Sequence, residues 1–260
     1  MSDAIAPAPI DTRPVRLAAL RDALARADLD GLLVTSLANV RYLTGFSGSN
    51  ALLVITAKDC VLLTDFRYAT QVEEEVGEAA TVRIESTNLW TGLWAQLGIL
   101  ASVERIGFES MHLLHRDFAR LLEQGARWSW RPTTDVVEAL RAVKDAGELA
   151  HIEHAVAVAE AALRCTVPLL RAGLTETAVA GILERHLRDA GSEAFPFPTI
   201  VASGPRSALP HARAGDRVLE LGDFVLLDFG AVTAGYCSDI TRTFVLGRAS
   251  DEQREVDDIV

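Results

Sequence analysis

Basic side chains are the scarcer charge in this 260-residue sequence: 25 Lys and Arg stand against 36 Asp and Glu, a net charge of −11. Nucleic-acid binding needs basic patches that neutralise phosphates, so the balance argues against that class, and it does not favour an anionic membrane surface. Cysteine is scarcer still. Cys60, Cys165 and Cys237 are odd in number, far apart and outside any CxxC pattern, which points to a reduced, cytoplasmic setting rather than a disulfide scaffold. No apolar run approaches the roughly 18 residues needed to span a bilayer. The segment Met1–Pro14 is rich in Pro and Ala and has no basic start followed by an apolar stretch. It reads as a disordered tail, not a signal peptide. Internal repeats and low-complexity tracts are also absent from the sequence.

What remains is ordinary globular composition, 49% hydrophobic and 23% charged, enough for one large domain or two smaller ones. Leu17, Leu20, Leu24 and Ala27 recur at helical spacing and predict an amphipathic helix ending near Gly31. Short apolar runs at Leu32–Thr35, Ala51–Thr56 and Val61–Thr64 read as strands, the last two joined in a hairpin through Ala57–Cys60. Helices are expected at Phe66–Val76, Asn88–Ala101 and His112–Gln124, with strands Thr81–Ile84 and Arg105–Phe108 between them. Strands alternating with helices predict an α/β domain over residues 15–132. Arg131-Pro132-Thr133-Thr134 is the expected linker. Beyond it Asp135–Lys144, Ala146–Leu170 and Thr175–Ala190 read as helices, the last with Thr175 as N-cap and Gly191 as its stop. The stretch Phe197–Leu246 is strand-like, and a polar tail in which a new helix is expected follows. The second part, residues 135–260, is therefore expected to be α+β.

Two acids stand inside apolar strands of that second part. Asp228 interrupts Phe224–Phe229, and Asp239 sits in the β-forming stretch Tyr236–Phe244, with Thr233-Ala234-Gly235 supplying the turn. If Thr233-Ala234 close the turn, the two acids lie directly opposite each other. If Ala234-Gly235 close it, they are diagonal neighbours. Either register puts both carboxylates on one face, because strand side chains alternate with period two. Opposed Cβ atoms would then sit about 4.5–5.5 Å apart and diagonal ones within about 7–8 Å. Like charges so close need a compensating group: a shared proton, an arginine such as Arg242, or a cation. Paired carboxylates suit hard or borderline divalent ions, and two metals about 3.5–4 Å apart are a common hydrolytic arrangement. The competing reading is an Asp that merely starts a turn.

The stretch Asp228-Phe229-Gly230-Ala231, followed by Gly235-Tyr236-Cys237-Ser238-Asp239-Ile240-Thr241-Arg242-Thr243-Phe244, resembles the metal-binding hairpin of Xaa-Pro aminopeptidases and prolidases. Upstream, Thr199-Ile200-Val201-Ala202-Ser203-Gly204 and Ser207-Ala208-Leu209-Pro210-His211 are similar to the substrate-site histidine segment of that family. Asn39-Val40-Arg41-Tyr42-Leu43-Thr44-Gly45-Phe46-Ser47-Gly48 looks like its opening domain. Three motifs in the right order are more specific than any one. The resemblance implies a creatinase-like α/β N-terminal domain followed by the first half of an α+β pita-bread metallopeptidase domain. It implies two divalent metal ions, with manganese preferred and cobalt, iron or zinc as alternatives. Asp228 would chelate one metal, Asp239 would bridge both, and His211 would contact the substrate and help stabilise the tetrahedral intermediate. The implied substrate is a proline-containing peptide or dipeptide, and the implied assembly is a homodimer or higher homo-oligomer.

The same resemblance implies five metal ligands, with a His and two Glu following the hairpin. No His follows Asp239, and Glu252 and Glu255 lie in a polar segment without the family's ligand motifs. The expectation is a C-terminally truncated chain that does not form a complete dinuclear site alone. The alternative reading is accordingly a non-catalytic pseudo-peptidase binding module, or an inactive fragment.

Weaker signals read as structure. His151 and His154 share a helix face and are expected to be surface residues. Asp228-Phe229-Gly230 mimics a kinase triplet without the preceding kinase motifs, and Gly45-Phe46-Ser47-Gly48 reads as a turn rather than a nucleophile elbow. Trp90 and Trp94, one helical turn apart, are expected in the core or an interface. Glu73-Glu74-Glu75 is expected on a solvated helix face.

Overall fold

The computed structural model describes residues 11–100 and 103–259, without the side chain of Asp257. Most of the expected N-terminal tail lies outside the described residues. The chain divides into two compact units, Met1–Val143 and Lys144–Val260.

The first unit begins with α1 (Arg13–Arg26), which buries Leu17, Leu20 and Leu24 at the predicted spacing. Its further elements are β1 (Gly31–Val34), α2 (Leu37–Thr44), β2 (Ala51–Thr56), β3 (Cys60–Asp65), α3 (Ala69–Val76), β4 (Thr81–Glu85), α4 (Leu89–Ile99), β5 (Arg105–Glu109), α5 (His115–Glu123), β6 (Ser129–Thr133) and α6 (Val136–Ala142). The six strands form one mixed sheet in the order β4-β3-β2-β1-β5-β6. β2 and β3 are the predicted hairpin, Ile55 facing Cys60 at its closed end. Alternation along β1 and β2 sends Leu32, Val34, Leu53 and Ile55 into a core shared with α1 and α2. Leu33, Leu52 and Val54 enter the opposite core, against Leu89, Leu93 and Leu97 of α4. Burial on both faces explains why these strands are continuous apolar runs.

Three local expectations are corrected. Arg131-Pro132-Thr133, expected as linker, is part of edge strand β6, parallel to β5. Proline is tolerated there because one side of an edge strand needs no donor. Residues of α6, expected in the second part, pack in the first: Val137 joins the core beneath α1. The motif Asn39–Gly48 overlaps an unpredicted helix, α2, ended by Gly45 at φ +86, the left-handed conformation glycine adopts without a Cβ clash. Glu75 is also more than a solvated acid, since it accepts hydrogen bonds from the backbone N–H and hydroxyl of Ser47 at 2.7 and 2.6 Å. Trp90, Trp94, Trp128 and Trp130 gather into one aromatic cluster with neighbouring centroids 5.9–6.4 Å apart. Trp128 is buried and the other three half-buried.

The second unit opens with α7 (Ala146–Thr166), capped by Asp145 in a reciprocal box with Glu148, and α8 (Glu176–Asp189), capped by Thr175. Then come β7 (Ile200–Ser203), β8 (Phe224–Phe229), β9 (Val232–Thr233), β10 (Tyr236–Cys237), β11 (Ile240–Val245) and α9 (Asp251–Ile259). The strand-like region is thus interrupted: a 3₁₀ turn at Gly204–Ala208 and an irregular stretch separate β7 from β8. β7, β8 and β11 form an antiparallel sheet in the order β11-β8-β7. Val201, Val225, Leu227, Phe229 and Ile240 on one face pack with Val158, Ala162, Val179, Leu183 and Leu187 of α7 and α8. Helices on one face of an antiparallel sheet are the expected α+β arrangement. Among the described residues no helix is long and apolar enough to cross a membrane.

Candidate functional site

The face of the small sheet turned away from α7 and α8 carries the two acids. Asp228 on β8 is level with Ile200 on β7 and Thr241 on β11. The turn settles the register left open by the sequence. Tyr236 pairs with Thr233 and Cys237 with Val232, so Ala234-Gly235 is the two-residue loop. Ala234 has φ +49 and Gly235 φ +76, the doubly left-handed conformation of a type I′ turn. The other register would have forced β-branched Thr233 into that conformation, which its side chain disfavours. Asp239 is therefore one step past the Ile240–Phe229 pair and diagonal to Asp228 on the same face.

Between the two ladders the strands separate at Ala231 and Ser238. The Ser238 N–H still donates to the Ala231 carbonyl at 3.0 Å, but the Ala231 N–H donates to the Ser238 hydroxyl instead of its carbonyl. Gly230 sits beside this gap, where an added Cβ would fall 2.0 Å from the Ser238 carbonyl oxygen. Asp228 accepts a hydrogen bond from the Thr241 hydroxyl at 3.0 Å. Arg242 does not compensate the acids; its guanidinium donates to the Thr241 carbonyl. Among the described residues neither Asp228 nor Asp239 is in an ion pair.

His211 lies on the loop between β7 and β8, exposed beside buried Ala212. It reaches the same place as the acids: His211, Asp228 and Asp239 line one open cleft of about 760 Å³, with Phe197, Ile200, Arg213 and Glu184 among its other walls. Two unpaired carboxylates on one face fit a hard or borderline divalent cation. They do not by themselves enclose one. Among the described residues no three His, Cys, Asp or Glu side chains converge as metal ligands. His151 and His154 are exposed on α7, and His151 stacks on the Tyr236 ring at 5.3 Å. Partial burial pushes the pKa of the Cys237 thiol up.

Sequence reasoning missed the supports of the His211 loop. Arg217 donates to Asp223 at 2.6 and 3.0 Å and to the Ser203 hydroxyl at 2.7 Å. The guanidinium holds the Asp223 carboxyl below the usual aspartate range, aided by the Glu220 N–H and opposed by desolvation. Gly204, at φ +51, makes room for Arg217, whose Nη2 would lie 2.5 Å from a Cβ there. No pattern in the sequence announced these partners, which meet because the chain folds back between Ser203 and Asp223.

Comparison with known proteins matches both units. Residues 16–143 match the creatinase/prolidase N-terminal domain, and residues 150–260 match metallopeptidase family M24. An uncharacterized peptidase, YqhT, of Bacillus subtilis is 37% identical over 246 residues, covering 95% of this chain and 69% of that protein. A Xaa-Pro dipeptidase of Pyrococcus horikoshii is 32% identical over 235 residues, covering 89% and 64%. The solved structure of a Xaa-Pro dipeptidase from Bacillus anthracis superposes with a TM-score of 0.90 at 34% identity, covering 95% of this chain and 69% of that one. The chain thus spans about two thirds of the length of these relatives.

Proposed function

Because the chain belongs to the M24 metallopeptidases with a creatinase/prolidase N-terminal domain, we propose that it serves hydrolysis of the peptide bond between an N-terminal residue and a following proline. The observation that carries this reading is the convergence of His211, Asp228 and Asp239 on one cleft. Asp228 and Asp239 would hold divalent metal, manganese first and cobalt, iron or zinc as alternatives. Metal bound there would lower the pKa of water and polarise the scissile carbonyl. Thr241 orients the Asp228 carboxylate through its hydroxyl. His211, lining the same cleft, serves as a hydrogen-bonding group to the carbonyl oxygen as charge develops on it. Phe197 and Ile200 offer apolar surface for a proline ring. A dipeptide and the N-terminus of a longer peptide both satisfy this chemistry.

The experiment is release of the N-terminal residue from a Xaa-Pro peptide in the presence of manganese, for the wild type and for Asp239→Asn. Turnover that Asp239→Asn abolishes is the expected result. Undiminished turnover in the variant would remove Asp239 from the site.

A second reading is favoured by one observation, the absence among the described residues of a third converging ligand. The chain would then be a non-catalytic binding module or an inactive piece of the enzyme. Manganese and peptide binding without hydrolysis would establish it. Free Cys60, Cys165 and Cys237 suit a reducing cytoplasm. A homodimer or larger homo-oligomer is the assembly the family resemblance supports, readable by sedimentation.

A further inference from the structure

Glu176 stands at the first turn of α8, where the sequence suggests nothing beyond an acid favourable to a helix N-terminus. Its environment is different. The residue is 0% exposed, and a buried carboxylate is tolerated only when its oxygens are satisfied. Oε1 accepts from the Ser203 N–H at 2.8 Å, the Ser203 hydroxyl at 2.9 Å and Arg206 Nε at 3.2 Å. Oε2 accepts from Arg206 Nε at 3.1 Å and the Gly215 N–H at 3.1 Å. Arg206 then reaches across with Nη2 to the Arg213 carbonyl at 2.6 Å.

These contacts share one topological property. Ser203 and Arg206 precede His211, while Arg213 and Gly215 follow it. One buried carboxylate thereby ties both shoulders of the loop to the start of α8, and the arginine it holds cross-braces the turn within two residues of the imidazole. The backbone adds to this closure, since Glu176 N–H donates to Arg217 carbonyl at 3.0 Å and Thr177 N–H to Gly215 carbonyl at 3.1 Å. His211 itself is exposed, and among the described residues its side chain has no such tether. Its place over the cleft is set by the path of its backbone.

We propose that Glu176 is a positioning residue that, through Arg206, fixes the loop holding His211 over the Asp228–Asp239 cleft. Its catalytic consequence rests on the hydrolase reading above; its hold on the loop does not. A displaced catalytic group about 1 Å from its working position can lose on the order of 100-fold in rate. Glu176→Gln keeps the size but removes the charge opposite Arg206 and turns an N–H₂ toward donors. Arg206→Lys is the milder variant, keeping a cation beside Glu176 while deleting the arm to Arg213.

Two measurements test the proposal on the full chain. The first is a double-mutant cycle on manganese-dependent turnover of Ala-Pro. Glu176→Gln is expected to lower kcat roughly 10- to 100-fold with manganese affinity unchanged, Arg206→Lys to lower it less, and Glu176→Gln with His211→Ala to be no slower than His211→Ala alone. Multiplying losses would overturn the proposal, because a residue acting through His211 has nothing left to lose once the imidazole is gone. The second is amide hydrogen exchange. Glu176→Gln, or Arg206→Lys if the first variant does not fold, is expected to speed exchange over residues 203–217 and leave α7 and β8 protected. Unchanged exchange in that loop, or acceleration spread evenly through the unit, would equally overturn it. If the wild type shows no turnover, the hydrolase reading falls alone, and exchange still decides whether Glu176 holds the loop.

Discussion

Thr241 lies directly across the ladder from Asp228 and donates its hydroxyl to the Asp228 carboxylate at 3.0 Å. The acid on the central strand is therefore held by a side chain of its own neighbour strand, on the face that also carries Asp239. Replacing Thr241 with valine keeps the β-branched shape and removes only the donor. Partners that orient a metal-binding carboxylate typically influence affinity by about 10- to 100-fold. Thr241→Val is expected to weaken manganese binding by about that factor without changing the melting temperature, as titration calorimetry and thermal melting would read. Unchanged affinity would show that the hydrogen bond does not organise Asp228 for metal.

Gly230 is the residue that allows Ser238 and Asp239 to come in close beside β8. An alanine there would place its methyl 2.0 Å from the Ser238 carbonyl oxygen and 2.6 Å from Pro196. Neither obstacle is the free end of a flexible chain. Gly230→Ala is expected to cost roughly 1–3 kcal/mol of stability and to weaken manganese binding, because the carbonyl that must move adjoins Asp239. Chemical denaturation and metal titration would check the two effects separately.

The ion pair of Arg217 with Asp223 predicts an acid dependence. The Asp223 carboxyl titrates below its usual value, chiefly because of the Arg217 hydrogen bond. A folded-state pKa that is depressed contributes stability above the unfolded value, about 3.9 for aspartate. That contribution disappears as pH falls through the lower folded value. Asp223→Asn is expected to destabilise the chain by roughly 1.5–3 kcal/mol at neutral pH. The difference from wild type should narrow as denaturation is measured at successively lower pH below that range. A gap independent of pH would assign the loss to shape instead of charge.

Leu183 reports on the core behind the site. It is fully buried between α8 and the rear face of the sheet. Leu183→Ala is expected to cost about 2–5 kcal/mol, seen as a lower midpoint in denaturant. Loss of much less would mean that the helix settles into the cavity.

The apolar run at Leu32–Thr35, the spacing of Leu17, Leu20 and Leu24, and the cap at Thr175 were legible because each is a local rule acting within a few residues. The placement of α6 was not. Its composition resembles the helices that follow it, and only the contact of Val137 with the first core assigns it to the first unit. Strand β6 was obscured by Pro132, which ordinarily argues against a strand and is accommodated here by an edge.

Asp228 and Asp239 return the same contrast. Their sharing of a face followed from the sequence under either two-residue turn, because strand side chains alternate whatever the register. Gly235 and the unsuitability of Thr233 for a left-handed backbone were also present there as a guide to the true turn. The tertiary structure alone decided that Arg242 leaves the acids unpaired, that Thr241 orients one of them, and that His211 arrives at their cleft under the hold of buried Glu176. The second and third of those outcomes depend on hydrogen bonds between segments that folding brings together, Thr241 with Asp228 and Gly215 with Glu176. Their partners are chosen by where packing brings the backbone, for which no local periodicity leaves a mark.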